Sequence, residues 1–290
     1  MTDRTLTVVV VGATGKQGGA VAKGLLERGH QVRAVTRDPG SARAKALAAA
    51  GATLVRASLE DTAALGRALE GATSLFAMTT PAEGIEAETR QGNSGADAAR
   101  AADVHLVFSS VASANRQTGI PHFESKYAVE GHIGRIGVRA TILAPVYFME
   151  NLHFVREQLA KGVYASPLPP TRRLAQVAVA DIGAVAVRML EDEGRFVGRR
   201  IDLAGDERTG NDMVAILARV TGRAFAYQQI PLDVIRQGMG DDAATMYEWF
   251  DRVGYTVDLP ALRGDFPDIV FHDFESWLRT QDLHALVRGA

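Results

Sequence analysis

A glycine-rich segment near the start of the chain has the spacing of a phosphate-binding loop. Gly12, Gly15 and Gly18 recur at every third residue, directly after an apolar run and at the start of a helix-like stretch. Glycine at these places allows a tight turn, close approach of the backbone to a pyrophosphate, and close packing of a helix on a strand. The amides and positive dipole of the helix start attract phosphates. A dinucleotide is therefore predicted to bind here, through Gly12, Thr14, Gly15, Lys16, Gln17 and Gly18. The alternative is a glycine-rich turn that binds nothing.

The residue that follows the next apolar run helps to distinguish NAD from NADP as the bound dinucleotide. Gln31–Thr36 ends without the acidic residue that binds the ribose 2′-hydroxyl of NAD, and Arg37 follows it. A guanidinium here can pair in a bidentate manner with a 2′-phosphate, and Lys16 adds positive charge nearby. Asp38 is able to fold back and neutralise Arg37, which would then be an ordinary surface arginine. We predict NADP(H) as the preferred cofactor, with NAD(H) as the alternative.

The glycine loop and Arg37 can contact one dinucleotide only if the strands that precede them end side by side. The rest of the sequence indicates a parallel sheet, in which strands end in this way. Short runs rich in Val, Leu, Ile and Phe alternate with longer segments of helical composition. Runs that are apolar at nearly every position are typical of strands buried on both faces. This repetition predicts a doubly wound parallel α/β sheet. The predicted strands are Leu6–Val11, Gln31–Thr36, Thr53–Arg56, Ser74–Met78, Val104–Ser109 and Arg139–Leu143, and the predicted helices are Lys16–Arg28, Ala42–Ala50, Thr62–Leu69, Ala87–Ala101 and Phe123–Arg135.

The remainder of the chain has a looser pattern and predicts a smaller lobe. The expected elements are a helix over Tyr147–Leu159, a turn-rich segment at 166–173, helices over Ala180–Leu190 and Asn211–Val220, strands at Arg200–Leu203 and Phe225–Gln229, and a mostly helical tail over Leu232–Leu278. We therefore predict a nucleotide-binding domain over residues 1–146. Residues 147–290 are predicted to form a mostly helical substrate-binding lobe, some segments of which return to the first sheet.

Composition and charge exclude several classes of protein. The 290 residues are 47% hydrophobic and 23% charged, which is typical of a globular chain and not of disorder, collagen or a coiled coil. The net charge of −2 supplies no broad cationic surface for nucleic acid. Cysteine is absent, which excludes disulfides and thiolate chemistry, and the histidines show no spacing typical of a metal site. Neither a signal peptide nor an apolar run of about 18 residues is present. We expect a cytoplasmic monomer or homodimer without direct nucleic-acid or membrane binding.

Several segments together resemble one family. GATGKQGGAVA, VRAVTRDP, HLVFSSVAS, HFESK and APVYFMENL are similar to the NmrA-like family of atypical short-chain dehydrogenase/reductases. The resemblance runs from the first strand through Asp181-Ile182-Gly183. It implies a Rossmann domain that binds NAD(P) and a small C-terminal substrate lobe.

The resemblance also implies further cofactor contacts. Relatives usually carry Gly-Asp-Leu beside the adenine where this chain has Ala57-Ser58-Leu59, so Ser58 offers a hydroxyl in place of the carboxylate. The remaining cofactor contacts implied along the ribose and nicotinamide are Thr79, Thr80, Ser109, Lys126, Pro145 and Val146.

The proton-transfer residues of classical short-chain reductases are altered. Those enzymes place a tyrosine four residues before a lysine, and no Tyr-x-x-x-Lys occurs in this sequence. The matching segment has His122 four residues before Lys126, and such a pair shares one face of a helix. We predict His122 and Lys126 as the catalytic pair. His122 then donates a hydrogen bond to a substrate oxygen, or alternatively it is a helix-start residue that only helps to place the ribose.

Two further positions concern the substrate. The usual catalytic serine falls on Val111, with Ser110 or Ser113 as substitutes. Tyr147, Phe148 and Asn151 follow the sixth strand and are predicted to contact a flat apolar substrate, with ordinary core packing as the alternative.

Three functions follow from these expectations. The first is an NADPH-dependent oxidoreductase acting on a small quinone-like or aromatic carbonyl acceptor. The second is a non-catalytic NADP(H) sensor that acts through a regulatory protein partner, which the missing tyrosine favours. A sugar-nucleotide epimerase or dehydratase is the weakest, because those reactions begin by oxidising an unactivated alcohol.

Overall fold

The computed structural model describes residues 5–287, which form two compact units. The first comprises residues 5–117, 121–144 and 182–202. The second comprises residues 118–120, 145–181 and 203–287. Within residues 5–287, no helix has both the length and the apolar composition that a membrane crossing needs.

The strands, in chain order, are β1 (Thr7–Val10), β2 (Gln31–Thr36), β3 (Thr53–Arg56), β4 (Ser74–Met78), β5 (His105–Ser109), β6 (Ala140–Pro145), β7 (Tyr147–Phe148), β8 (Val163–Ser166), β9 (Arg173–Val177), β10 (Arg200–Leu203), β11 (Asp206–Thr209) and β12 (Ala226–Gln229). The helices are α1 (Lys16–Glu27), α2 (Ala42–Ala49), α3 (Thr62–Leu69), α4 (Ile85–Ala101), α5 (Pro121–Ile136), α6 (Arg156–Ala160), α7 (Val179–Glu191), α8 (Glu193–Phe196), α9 (Gly210–Thr221), α10 (Leu232–Met239), α11 (Asp241–Arg252), α12 (Leu259–Asp265), α13 (Phe274–Arg279) and α14 (Leu283–Val287).

The first unit is built on a seven-stranded sheet in the order β10-β6-β5-β4-β1-β2-β3. The five pairings that join β1 to β6 are all parallel. Every residue of β5 is buried, and Phe76 and Phe108 are among the largest fully enclosed side chains. The nearly continuous apolar runs are thus explained by layers on both faces of the sheet. The predicted doubly wound fold is confirmed.

The second unit has its own core and two small sheets. Its core surrounds Trp277, Phe274 and Met213. β9 pairs antiparallel with β11 and parallel with β7, and β8 pairs parallel with β12. The helical tail was predicted correctly, since α10 to α12 lie within Leu232–Leu278 and α13 extends one residue beyond it.

The predicted helix over Tyr147–Leu159 is wrong for most of its length. Tyr147–Phe148 is a strand, Met149–Val155 is a 3-10 helix, and the α-helix begins at Arg156. Tyr147 and Phe148 pair with Gln176 and Val177 in β9. This pairing to a distant segment overrides the local helical pattern.

Three strands of the second unit were also missed. β8 and β9 flank the turn-rich segment at 166–173, and β11 directly follows β10. Each is short and obtains its hydrogen bonds from a strand distant in sequence, so local composition gives little signal for it.

Candidate functional site

The glycine loop forms a tight turn at the carboxyl end of β1. Gly12 has a positive φ of 70°, and the amide of Gly15 donates to its carbonyl at 2.8 Å. A Cβ at Gly18 would lie 2.4 Å from the carbonyl oxygen of Gly12, so any side chain there would displace the loop. α1 begins directly after Gly15. The loop therefore brings the start of α1 close to the strand end, as a pyrophosphate site requires.

A cavity of about 370 Å³ opens beside this loop, at the carboxyl ends of β1 to β4. Its volume lies in the usual range for small-molecule sites, roughly 300–1,000 Å³. The predicted cofactor residues that line it are Gly12, Thr14, Gly15, Arg37, Ser58, Leu59, Thr79 and Thr80. The predicted residues outside its lining are Lys16, Gln17, Gly18, Ser109, Lys126, Pro145 and Val146. The loop and this cavity fit the adenosine end of a dinucleotide.

Arg37 lies on the rim of this cavity, in an exposed ion pair with Glu83. The guanidinium and carboxylate are 2.9 Å apart, with side-chain exposures of 79% and 49%. Asp38 is engaged in its own turn, where its carboxylate accepts from the amide of Gly40 at 2.9 Å. The carboxylate that balances Arg37 is therefore Glu83, and the sequence did not point to it.

Arg43 is a second cation beside the loop that sequence reasoning missed. Its guanidinium donates to the carbonyl of Thr14 at 3.4 Å, from the first turn of α2. A cation is unfavourable at a helix N-terminus because of the helix dipole. That mismatch was the available signal. Lys16 lines a separate groove of about 760 Å³ between α1 and α2, together with Arg43 and Thr14.

Lys126 lies in a buried network behind the cavity. Its ammonium is 3.0 Å from Oε1 of Glu88 and donates to the carbonyl and hydroxyl of Thr79 at 3.2 and 3.1 Å. The fully buried Glu88 also accepts from the hydroxyls of Thr79, at 3.0 Å, and Ser125, at 2.6 Å. An ammonium has three hydrogens, and these three contacts use them all. The network fixes Thr79, which lines the cavity.

His122 lies in the first turn of α5, one turn before Lys126, as the helix prediction required. Its half-buried ring meets that of Phe123 edge-on, with 4.8 Å between centroids. His122 does not line the 370 Å³ cavity. Its catalytic role stays a prediction.

The predicted serines have protein partners. Ser109, at the end of β5, donates to Oε1 of Gln17 at 2.7 Å, which joins two predicted cofactor residues. The hydroxyl of Ser110 donates to Glu130, which also pairs with Arg200 at 2.9 Å. The Ser110 hydroxyl is therefore hydrogen-bonded to a carboxylate that belongs to a structural ion pair.

The second unit contains a cavity of about 140 Å³ that two of the predicted substrate residues line. Tyr147 and Asn151 line it, whereas Phe148 does not. Tyr247, from α11, also lines it, and its hydroxyl lies 2.9 Å from that of Tyr147. Burial raises the pKa of both phenols above the usual value. Sequence reasoning missed Tyr247 because it is far from Tyr147 along the chain.

Pro145 and Val146 connect β6 to β7. Val146 is buried, and its amide donates to the carbonyl of Leu203 at 3.0 Å. This bond fixes the backbone that leads into Tyr147.

The sheet order and the glycine loop define an α/β protein of the Rossmann type. The chain belongs to the NmrA-like family, whose model matches residues 4–278. The predicted family resemblance is confirmed.

Three comparisons show the range of related proteins. An NmrA-like family domain-containing oxidoreductase, malD of Malbranchea aurantiaca, is 30% identical over 263 residues, which cover 78% of each chain. The NADPH-dependent quinone oxidoreductase of Escherichia coli, complexed with NADPH, is 24% identical with a TM-score of 0.81, covering 94% of this chain and 98% of that one. NmrA, a negative transcriptional regulator, is 22% identical with a TM-score of 0.79, covering 96% and 95%.

Proposed function

We propose that this protein binds NADP(H) and reduces a small quinone-like or aromatic carbonyl acceptor. The observation that carries the proposal is the cavity beside the glycine loop, with Arg37 on its rim and Arg43 close by. The family includes oxidoreductases, and one structural neighbour is an NADPH-dependent quinone oxidoreductase. The cofactor supplies a hydride when bound, so the protein has to bind it, exclude water and polarise the acceptor.

The backbone of the loop is proposed to hold the pyrophosphate through Gly12, Thr14 and Gly15. Arg37 is proposed to exchange Glu83 for the 2′-phosphate, and Arg43 adds a second positive charge. A phosphate binds a guanidinium by charge-assisted bidentate bonds, which are stronger than an exposed ion pair in water. Ser58 and Leu59 are proposed to contact the adenine, and Thr80 the ribose.

Lys126 is proposed to act as a positioning residue. A direct bond to the ribose would require its ammonium to release Glu88 or Thr79. Leaving Glu88 buried without its cation is costly, because burial removes the water that would otherwise solvate the carboxylate. Lys126 therefore holds Thr79 against the cofactor.

The activity is tested by following NADPH oxidation by purified protein with quinones, enones and aromatic aldehydes. Reduction of at least one class is the expected result. Tight NADPH binding without turnover of any acceptor would contradict the enzyme. It would support the second candidate, a cofactor-sensing regulator, which is favoured by the missing Tyr-x-x-x-Lys, the engaged Ser110 and the likeness to NmrA.

His122 is tested with the same assay. As a donor to the acceptor oxygen, its replacement in His122→Phe should lower turnover by ~10²-fold and leave NADPH affinity unchanged. His132→Phe, on the same helix but outside the lining of the 370 Å³ cavity and paired with Asp97, serves as the control. Unchanged turnover in His122→Phe would show that the residue is structural.

A further inference from the structure

The cavity of the second unit has the size of a single aromatic ring. Its volume is about 140 Å³, and an apolar cavity of about 150 Å³ is known to bind one benzene molecule. Much of its wall is apolar, including Met149, Leu152 and Met213. One ring would find dispersion contacts on these sides, whereas a second fused ring would extend out of the cavity towards the exposed Phe154 and Met239 and gain fewer such contacts.

Polar groups are concentrated at one place in this wall. The Tyr147 and Tyr247 hydroxyls lie 2.9 Å apart, and the side chain of Asn151 hydrogen-bonds to Tyr147. The Tyr147 ring is held by a perpendicular contact with Phe250, at 6.2 Å between centroids. The position of this hydroxyl is thus set from several sides.

The two tyrosine hydroxyls have one hydrogen-bond donor that their mutual contact does not use. Two phenols carry two hydrogens, and the contact between Tyr147 and Tyr247 uses one of them. The Tyr147 oxygen receives the Asn151 amide, and either phenol can be the donor in the contact between Tyr147 and Tyr247. With Tyr247 as that donor, the hydrogen of Tyr147 remains available to a ligand. Burial raises the pKa of both phenols above its usual value, so this donor persists at neutral pH.

We propose that this cavity binds one aromatic ring that bears a carbonyl oxygen, and that Tyr147 donates a hydrogen bond to that oxygen. Tyr247 and Asn151 are positioning residues that orient the phenol. The inference rests on the proposed function in taking this ring to be the reducible acceptor. It narrows the acceptor to one-ring quinones and aromatic carbonyl compounds.

The test measures binding without cofactor, by calorimetry, with acetophenone and 2-acetonaphthone as probes that differ by one fused ring. Acetophenone should bind at least several-fold more tightly than 2-acetonaphthone. Tyr147→Phe should weaken acetophenone binding by roughly 3- to 10-fold, the range for one neutral hydrogen bond. Tyr247→Phe should have a smaller effect. Tyr255→Phe, whose ring packs on Phe250 outside the cavity lining, is the control and should bind normally.

The outcomes separate this site from the proposed function. Equal or tighter binding of 2-acetonaphthone would overturn the one-ring limit, and unchanged acetophenone binding by Tyr147→Phe would overturn the donor role. Acetophenone that does not bind at all, in a protein that reduces quinones, would refute this site and leave the oxidoreductase standing. If acetophenone binding depends on Tyr147 but the protein reduces no acceptor, the site is supported and the oxidoreductase is refuted.

Discussion

Two ion pairs close to the end of the same strand differ in their exposure to water. Arg37 and Glu83 meet at 2.9 Å with side chains that are 79% and 49% exposed. Lys126 and Glu88 meet at 3.0 Å with side chains that are 11% and 0% exposed. Glu83 and Glu88 both follow β4 within a short stretch of chain. The distances are alike, so burial is what distinguishes the pairs.

Burial decides what each pair can do. Water competes with the exposed pair, so Arg37 can leave Glu83 for a phosphate at little cost. The buried pair has lost its water, and neither Lys126 nor Glu88 can leave without stranding a charge. One pair is therefore suited to recognise a ligand, and the other to hold the cavity wall in place.

The largest expected effect comes from breaking the buried pair. Lys126→Met should lower the free energy of unfolding by about 3–5 kcal/mol, because it leaves the Glu88 carboxylate uncompensated. Lys126→Met with Glu88→Met should recover most of that loss, since no buried charge remains. Urea unfolding measures both. Lys23→Met, which removes a lysine from an exposed pair with Glu27, should change stability little. If the double variant is no more stable than Lys126→Met, the uncompensated charge of Glu88 is not the cause of the lost stability.

NADPH binding by Glu88→Gln separates positioning from direct contact, because this variant weakens the hold of residue 88 on the Lys126 ammonium. If Lys126 acts by holding Thr79, the loosened network should weaken NADPH binding. If its ammonium binds the ribose, its release from Glu88 should tighten NADPH binding.

A smaller effect is expected from removing the cation of the exposed pair. Arg37→Ala should weaken NADPH binding by about 1.5–3 kcal/mol, the range for a charge-assisted hydrogen bond, and spare NADH. Stability should hardly change, because the pair is exposed. Calorimetry with both cofactors measures this, with the exposed Arg67→Ala on α3 as control. Equal losses for NADPH and NADH would mean that Arg37 does not contact the 2′-phosphate.

The smallest effect is expected from removing the carboxylate that Arg37 must leave. Glu83→Gln should tighten NADPH binding by less than about 1 kcal/mol, because it removes a competitor for the guanidinium. The gain should shrink at high salt, which screens exposed charges. Glu86→Gln, an exposed carboxylate in the first turn of α4, controls for the general loss of negative charge. Weaker NADPH binding by Glu83→Gln would contradict the exchange.

The sequence predicted the features that depend on neighbouring residues. The glycine loop, the buried strands of the first sheet and the helix that carries His122 and Lys126 each have a local pattern. The partners of these residues come from distant segments. Nothing near Lys126 in sequence points to Glu88 or Thr79, and nothing near Arg37 points to Glu83.

The same limit explains the errors in the second unit. The helix predicted over Tyr147–Leu159 has a helical composition, yet its first residues pair with β9. Tyr247 joins Tyr147 through the packing of α11, which no local pattern reveals. Residues whose roles depend on tertiary contacts therefore had to be found in the structure.

We propose that Arg37 exchanges Glu83 for the 2′-phosphate and thereby makes the protein specific for NADP(H). The most direct test is the ratio of NADPH and NADH dissociation constants for the unaltered protein, measured by calorimetry at one salt concentration. NADPH should bind more tightly than NADH by roughly 10-fold or more, the equivalent of one charge-assisted hydrogen bond. Equal affinities, or tighter binding of NADH, would contradict it.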